Sequence, residues 1–298
     1  MKRHIFLYSI ITVICSLVLY VWGIHYQENA KLEIVGEKTA QTAGKTDVSK
    51  LPESHEIRVQ KGSNAKLTKI LKTELASTSS PYQARTNSLI NNKLQAGISN
   101  TSRTRIKADE MSKLFLLLGY FAGRKSGAIK TNTAVKVEQA DLAKGEQSLQ
   151  AGVAYSYAFL LQLAVKQGNA SAQRVLLRTV KLSNINKALK LAKTKHTQVS
   201  GSKQLTVYTS ASDLSLILTN LYRGKIFGKQ LDTQALSYLQ ANATGQTASR
   251  TYQIASSRGQ AVLVDNGGNS YVFSILMDGT SSDLTNLTNK LNQWYAKH

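Results

Sequence analysis

The sequence predicts an α+β fold of two lobes with a cleft between them, and three observations carry it. Strand-like segments stand near both ends of the folded region, "YQARTNSLI" and "KLQAGISN" early, "TYQIASS", "QAVLVD" and "SYVFSILM" late. The block between them, from about Asp109 to Lys229, reads as mostly helical. Amphipathic helices open and close the series. A short pair of strands is marginal alone, so the early strands are expected to join the late ones in one sheet, with the helical block inserted as a second lobe.

The first helix is expected in "SNAKLTKILKTELAST", where Leu67, Ile70, Leu71 and Leu75 fall at helical spacing and Ser63 or Asn64 can cap. The late strands are punctuated by an Asn-Gly-Gly turn at 266–268. The last helix, "SSDLTNLTNKLNQWYAKH", has an apolar stripe of Leu284, Leu287, Leu291 and Trp294. With the first helix it should cover one face of the sheet.

The N-terminus reads differently. After a cytoplasmic start at residues 1–4, residues 5–24 are an uncharged, mostly apolar run behind Lys2 and Arg3. At about 1.5 Å per residue such a run spans a bilayer core. It exceeds the ~7–15 residues of a cleavable signal's apolar region, and Trp22 and Tyr26 suit the membrane interface. A single-pass anchor is expected, with the main domain extracytoplasmic. Residues 25–62, poor in large apolar side chains, read as a flexible stalk, and residues 63–298 as the folded domain.

Cys15, the one cysteine, lies in the apolar run, so the exported part forms no disulfide. His4, His25, His55, His196 and His298 are scattered without metal-ligand spacing, and no metal or cofactor is expected. The net charge is +21, and beyond residue 60 there are 31 Lys and Arg against 11 Asp and Glu. Outside a membrane the expected anions are cell-wall polymer, peptidoglycan and lipid headgroups rather than nucleic acid. No Asp or Glu occurs from Gln147 to Ser212, a stretch holding Arg174, Arg178, Lys181, Lys187, Lys190, Lys193, Lys195 and Lys203. Those eight are the candidate anion-binding rim. The competing reading is a solvated helix face, with Ile185, Ala188, Leu189 and Ala192 turned inward. Tyr155, Tyr157 and Phe159 read as packing residues.

Three stretches carry a resemblance: "ADEMSKLFLLLGYFAG", "GEQSLQAGVAYSYAFLLQLAVKQGNASAQRVLL" and "TSASDLSLILTNLYRGK". In this order they resemble the class A β-lactamase and penicillin-binding serine hydrolase family, over about residues 63–298. The resemblance implies a β-lactamase-like two-lobe fold and a Ser-x-x-Lys motif at a helix start, where i and i+3 share a face and the lysine can activate the serine. Aligning Lys113 with that lysine puts Glu110 at the nucleophile; using Ser112 instead puts Phe115 at the lysine. The family's Ser-Asp-Asn aligns with Gln167-Gly168-Asn169, keeping only the asparagine. Its Lys-Thr-Gly, on an edge strand, aligns with Ser257-Arg258-Gly259, where Arg258 could still bind a carboxylate. The stretch without acids supplies no hydrolytic glutamate. Glu110 itself reads as a first-turn acid that complements the helix dipole and pairs with Lys113.

These substitutions imply a catalytically degenerate member that binds wall material or a partner rather than hydrolysing. The alternatives are an active divergent β-lactamase or D,D-peptidase acting on β-lactams or peptidoglycan peptides, and a scaffold with an idle cleft.

Overall fold

The computed structural model describes residues 56–91, 93–241, 250–279 and 284–298. The apolar run at 5–24 and most of the proposed stalk lie outside the described residues. Among those described, no helix is long and apolar enough to cross a membrane, and no cluster of His, Cys, Asp and Glu could hold a metal ion.

A six-stranded antiparallel sheet forms one lobe. Its strands are β1 (Arg58–Val59), β2 (Tyr82–Ser88), β3 (Leu94–Ser99), β9 (Arg250–Ser256), β10 (Gly259–Asp265) and β11 (Tyr271–Met277), in the order β1-β3-β2-β11-β10-β9. The junction of early and late strands is β2 against β11, in register from Tyr82↔Met277 to Ser88↔Tyr271. The sequence expectation of one sheet from both ends of the chain is met. The stalk boundary at residue 62 needs correcting. Arg58 and Val59 pair with Ser99 and Ile98, and the Gln60 N–H reaches the Gly97 carbonyl at 2.8 Å, because β3 would otherwise leave its outer edge unpaired.

Helix α1 (Ala65–Glu74) starts at Asn64, whose side chain accepts the N–H groups of Lys66 and Leu67. Its Leu67 and Leu71, with Leu75 just beyond, are buried against one sheet face beside Leu287, Leu291 and Tyr295 of the last helix, α8 (Thr285–Lys297). Each fully buried leucine contributes about 1.5–3 kcal/mol. Trp294 is only partly buried and Tyr295 takes the inner position, with its hydroxyl 2.7 Å from Thr86 Oγ1.

The other face meets the helical lobe. Its centre is α2 (Ser112–Lys125), buried at Leu114 to Leu118 and again at Tyr120 to Ala122. The chain then adds α3 (Tyr157–Leu161), extended by a π-helical turn (Gln162–Lys166), α4 (Ala170–Val180), α5 (Leu182–Ala192), α6 (Ala211–Tyr222) and α7 (Lys229–Leu239). Gly119 lets α5 approach α2 closely, since a Cβ there would stand 2.6 Å from Ile185 and 2.8 Å from Val180. Helix α5 turns Ile185, Ala188, Leu189 and Ala192 inward, as its periodicity indicates.

The helical lobe is not purely helical. It contains a three-stranded sheet, β4 (Ile106–Lys107), β8 (Thr206–Thr209) and β7 (Gln198–Ser200), and a β5–β6 pair (Ala134–Lys136, Ala154–Ser156). These strands of two to four residues are too short for an alternation pattern to show.

Candidate active site

Local structure first sets the direction of each side chain. Asp109–Met111 forms a single 3-10 turn that runs directly into α2. Asp109 is committed to structure, accepting the Val207 N–H at 2.8 Å and pairing with Lys107 at 3.2 Å. Glu110 and Lys113 follow on that turn and the first turn of α2, and both line a cleft of about 510 Å³ between the lobes. Opposite them stand Ala255 and Ser256 of β9, an edge strand of the large sheet, while Gly168, Ala170 and Gln173 close the side formed by α4.

Glu110 does not pair with Lys113. Its carboxylate reaches across the cleft to the β9–β10 turn. Ser257 donates its backbone N–H to Oε2 at 2.9 Å, and its Oγ lies 2.8 Å from both carboxylate oxygens. Arg258 Nε stands 4.0 Å from Oε1. The expected first-turn pair is corrected: the N–H and hydroxyl of Ser257, with the Arg258 guanidinium 4.0 Å away, outcompete a single amine at i+3. Arg258 does face a carboxylate, the protein's own. Ser257 and Arg258 occupy the turn after the edge strand rather than the strand itself, and Gly259 begins β10.

Lys113 is half-buried, and among the described residues its amine has no hydrogen-bond or ion-pair partner. Burial lowers its pKa below the usual lysine value, and the charge of Glu110 partly offsets this. Ser112, the neighbouring hydroxyl, is turned to Gln173 Oε1 at 3.0 Å.

The second motif is also corrected. Asn169 is the N-cap of α4, accepting the Ala172 N–H at 2.8 Å, and its amide donates to Glu146 at 2.9 and 3.2 Å. Slight desolvation pushes the Glu146 pKa up, but bonds from Ser171, the Ser148 N–H and Asn169 outweigh it and leave the carboxyl below its ordinary value. The asparagine is thus used for architecture. Gly168 and Ala170 face the cleft beside it without side-chain chemistry, and Gln167 is exposed outside its lining.

The eight basic residues divide. Arg174 and Lys203 line the cleft. Arg178 is an internal partner, bonded to Asp141 at 3.1 and 2.6 Å and to Glu138 at 2.9 Å. Lys181, Lys187, Lys190, Lys193 and Lys195 are exposed. Tyr157 is buried as expected, but Phe159 is 42% exposed and stacks on Tyr155 with ring centroids 5.5 Å apart.

Glu110 and Ser257 are therefore brought together from opposite lobes, at the positions aligned with a nucleophile and with a cleft-side strand motif. A sequence profile described as "Beta-lactamase enzyme family" matches residues 66–293. The chain belongs to that family.

Solved β-lactamase-family structures share the architecture at low identity. PBP-A superposes with a TM-score of 0.66 at 11% identity, over 79% of this chain and 98% of that one. A point mutant of the class A β-lactamase of the last common ancestor of Gram-negative bacteria gives 0.64 at 13%, over 78% and 99%. The β-lactamase from Sphaerobacter thermophilus DSM 20745 gives 0.61 at 13%, over 72% and 89%. Identities this low speak for the fold alone. No curated protein matches the sequence significantly.

Sequence reasoning missed the Gln173 partner of Ser112, the cleft-facing Ala255 and Ser256, and the capping role of Asn169. The Asn-x-x-Ala spacing of a cap was visible at 169–172; the other two depend on which strand is outermost and how α2 meets α4.

Proposed function

We propose that this β-lactamase-family chain is a pseudo-hydrolase, anchored to the membrane by residues 5–24 with its folded domain extracytoplasmic, whose cleft and basic surface bind cell-wall material. What supports the reading is the Glu110 carboxylate, aligned by sequence with the nucleophile and held across the cleft by the Ser257 N–H and hydroxyl. A carboxylate so engaged is a poor nucleophile. Its attack on an amide would also produce an anhydride, and Gly168 and Ala170 provide no group to resolve it.

The cleft suits an anionic ligand. Lys113, Arg174 and Lys203 line it, while its two acids are committed to Lys107 and the Val207 N–H, and to Ser257 and Arg258. Long-range attraction from the domain's excess of Lys and Arg would draw anionic polymer or anionic lipid to this face.

The second reading, an active divergent serine hydrolase, has one observation in its favour. Lys113, its pKa lowered by burial, and Ser112 line the same cleft. The Ser112 hydroxyl is bonded to Gln173 rather than to the lysine.

Mass spectrometry of the full chain after incubation with penicillin G separates the two. The pseudo-hydrolase gives no adduct, and a stoichiometric acyl-serine overturns it. Retention on purified wall polymer, compared with a neutral polysaccharide, separates a binding protein from an idle scaffold.

A further inference from the structure

The cleft does not end at Lys113. A second chamber of about 240 Å³ lies on the other side of Lys113 and Ala255, which line both spaces. Its remaining walls are Val165 and Lys166 from the π-helical turn, Tyr238 to Ala241 at the end of α7, and Gln253 on β9. No lining residue is acidic. Residues 242–249, which follow in sequence, contain no Asp or Glu either.

Two lysines thus line one pocket whose walls carry no acid. Lys113 has no partner among the described residues. Lys166 donates to the Gln240 carbonyl, a neutral acceptor. Lys166 is exposed, yet partial desolvation lowers its pKa below the usual value, as burial does for Lys113. The charge of Glu110 offsets the burial of Lys113 only in part, and its carboxylate is hydrogen-bonded to Ser257 and faces Arg258. Partly desolvated cations short of counter-charge are costly, and an anion bound by both reduces the cost.

We propose that this chamber is a binding site for a phosphate monoester, with Lys113 and Lys166 as its charged ligands and Gln253 as an amide donor. The charge count selects the class. A phosphate monoester carries about −1.5 to −2 at pH 7, matching two ammonium groups, whereas a carboxylate leaves one uncompensated. Lysines act as point charges suited to phosphate, and the chamber lacks the arginine fork that recognises a planar carboxylate in two contacts. The volume, below the ~300–1,000 Å³ of sites for drug-sized ligands, suits phosphate with a small substituent. The wider cleft continues beyond Lys113 and Ala255, so a longer substituent has somewhere to go. The inference rests on the reading of the cleft as a binding space.

The test is calorimetric titration of the full chain in detergent with inorganic phosphate, at constant ionic strength held with chloride. The wild type should bind saturably. Lys166→Gln should bind at least about tenfold more weakly, a loss of roughly 1.4 kcal/mol or more. Lys166→Arg, which keeps the charge, should restore binding, and Lys69→Gln, on α1 across the sheet, should leave it unchanged. Glycerol 3-phosphate and phosphatidate-containing vesicles, titrated in parallel, distinguish a soluble ester from a lipid headgroup, and Lys166-dependent binding of either supports the site. No saturable binding by the wild type, or equal binding by Lys166→Gln, overturns it. Penicillin acylation is read on the same samples. Acylated wild type that still needs Lys166 for phosphate overturns the pseudo-hydrolase reading alone. Unacylated wild type that binds phosphate without Lys166 overturns this inference alone.

Discussion

Glu110 and Ser257, 147 positions apart in sequence, are bound to each other across the cleft by a backbone N–H and a hydroxyl at 2.8–2.9 Å. The link ties the start of the central helix of one lobe to the outer hairpin of the other. In this family member, the turn that begins the central helix carries an acid that the opposite wall holds.

Replacing Glu110 by serine recreates Ser-x-x-Lys with Lys113 and releases Ser257 from the clamp. Acylation by penicillin G should then be detectable but slow. Removing one preorganised group commonly costs about 10²–10³ in rate, and the positions beside the cleft at Gly168 and Ala170 remain without proton-handling groups. Intact-mass measurement should show an adduct mapped to residue 110 in the variant and none in the wild type. No adduct after prolonged incubation would argue against shared catalytic geometry.

The clamp should add little to stability. Glu110 and Arg258 are 43% and 42% exposed, and interactions of such groups are screened by solvent. Ser257→Ala should change unfolding free energy by less than about 1 kcal/mol, measured by urea denaturation. A loss of several kcal/mol would show that the cleft wall depends on this contact.

Gly119 is the opposite case. A methyl group there meets Ile185 Cγ1 at 2.6 Å, Val180 Cγ1 at 2.8 Å and the Ile185 backbone nitrogen at 3.3 Å. Gly119→Ala should destabilise by about 1–3 kcal/mol despite its better helix propensity, because overpacking outweighs the gain of roughly 1 kcal/mol. Thermal denaturation measures the balance, and a raised Tm would mean that α5 moves aside at no cost.

The basic surface should act collectively. Changing Lys187, Lys190, Lys193 and Lys195 together to glutamine should weaken retention on wall-polymer or anionic-vesicle columns, more strongly at low salt, since exposed charges are screened over about 8 Å at physiological ionic strength. Their exposure on or just beyond α5 predicts a Tm near that of the wild type. Unchanged retention would remove these residues from the mechanism.

The full chain should remain with membranes after export, because residues 5–24 are long and apolar enough to span a bilayer. Cell fractionation with N-terminal sequencing checks this. A mature form in the medium beginning near residues 25–30 would show that the segment is a cleaved signal.

By itself the sequence determined what local periodicity and turn chemistry control. The cap and stripe of α1, the leucines of the α8 stripe, the five long strands, the inward face of α5 and the order of elements were legible, because each is set by residues within a few positions of one another. The loss of Ser-x-x-Lys at the start of α2 was legible for the same reason. What only the tertiary structure decided concerns partners distant in sequence. Glu110 had Lys113 at i+3 to pair with, yet folding places Ser257 within reach, and its N–H and hydroxyl at one turn prevail over one amine. Asn169 could have faced the cleft, but the free N–H groups at the start of α4 and the carboxylate of Glu146 capture it. Arg178 belonged to a basic cluster in the sequence and became the partner of Asp141 and Glu138, since burial of Asp141 demands a counter-charge. The chamber that Lys113 and Lys166 line is walled by β9 at one edge of the sheet, and strand order follows from pairing across distant segments, which no local pattern encodes.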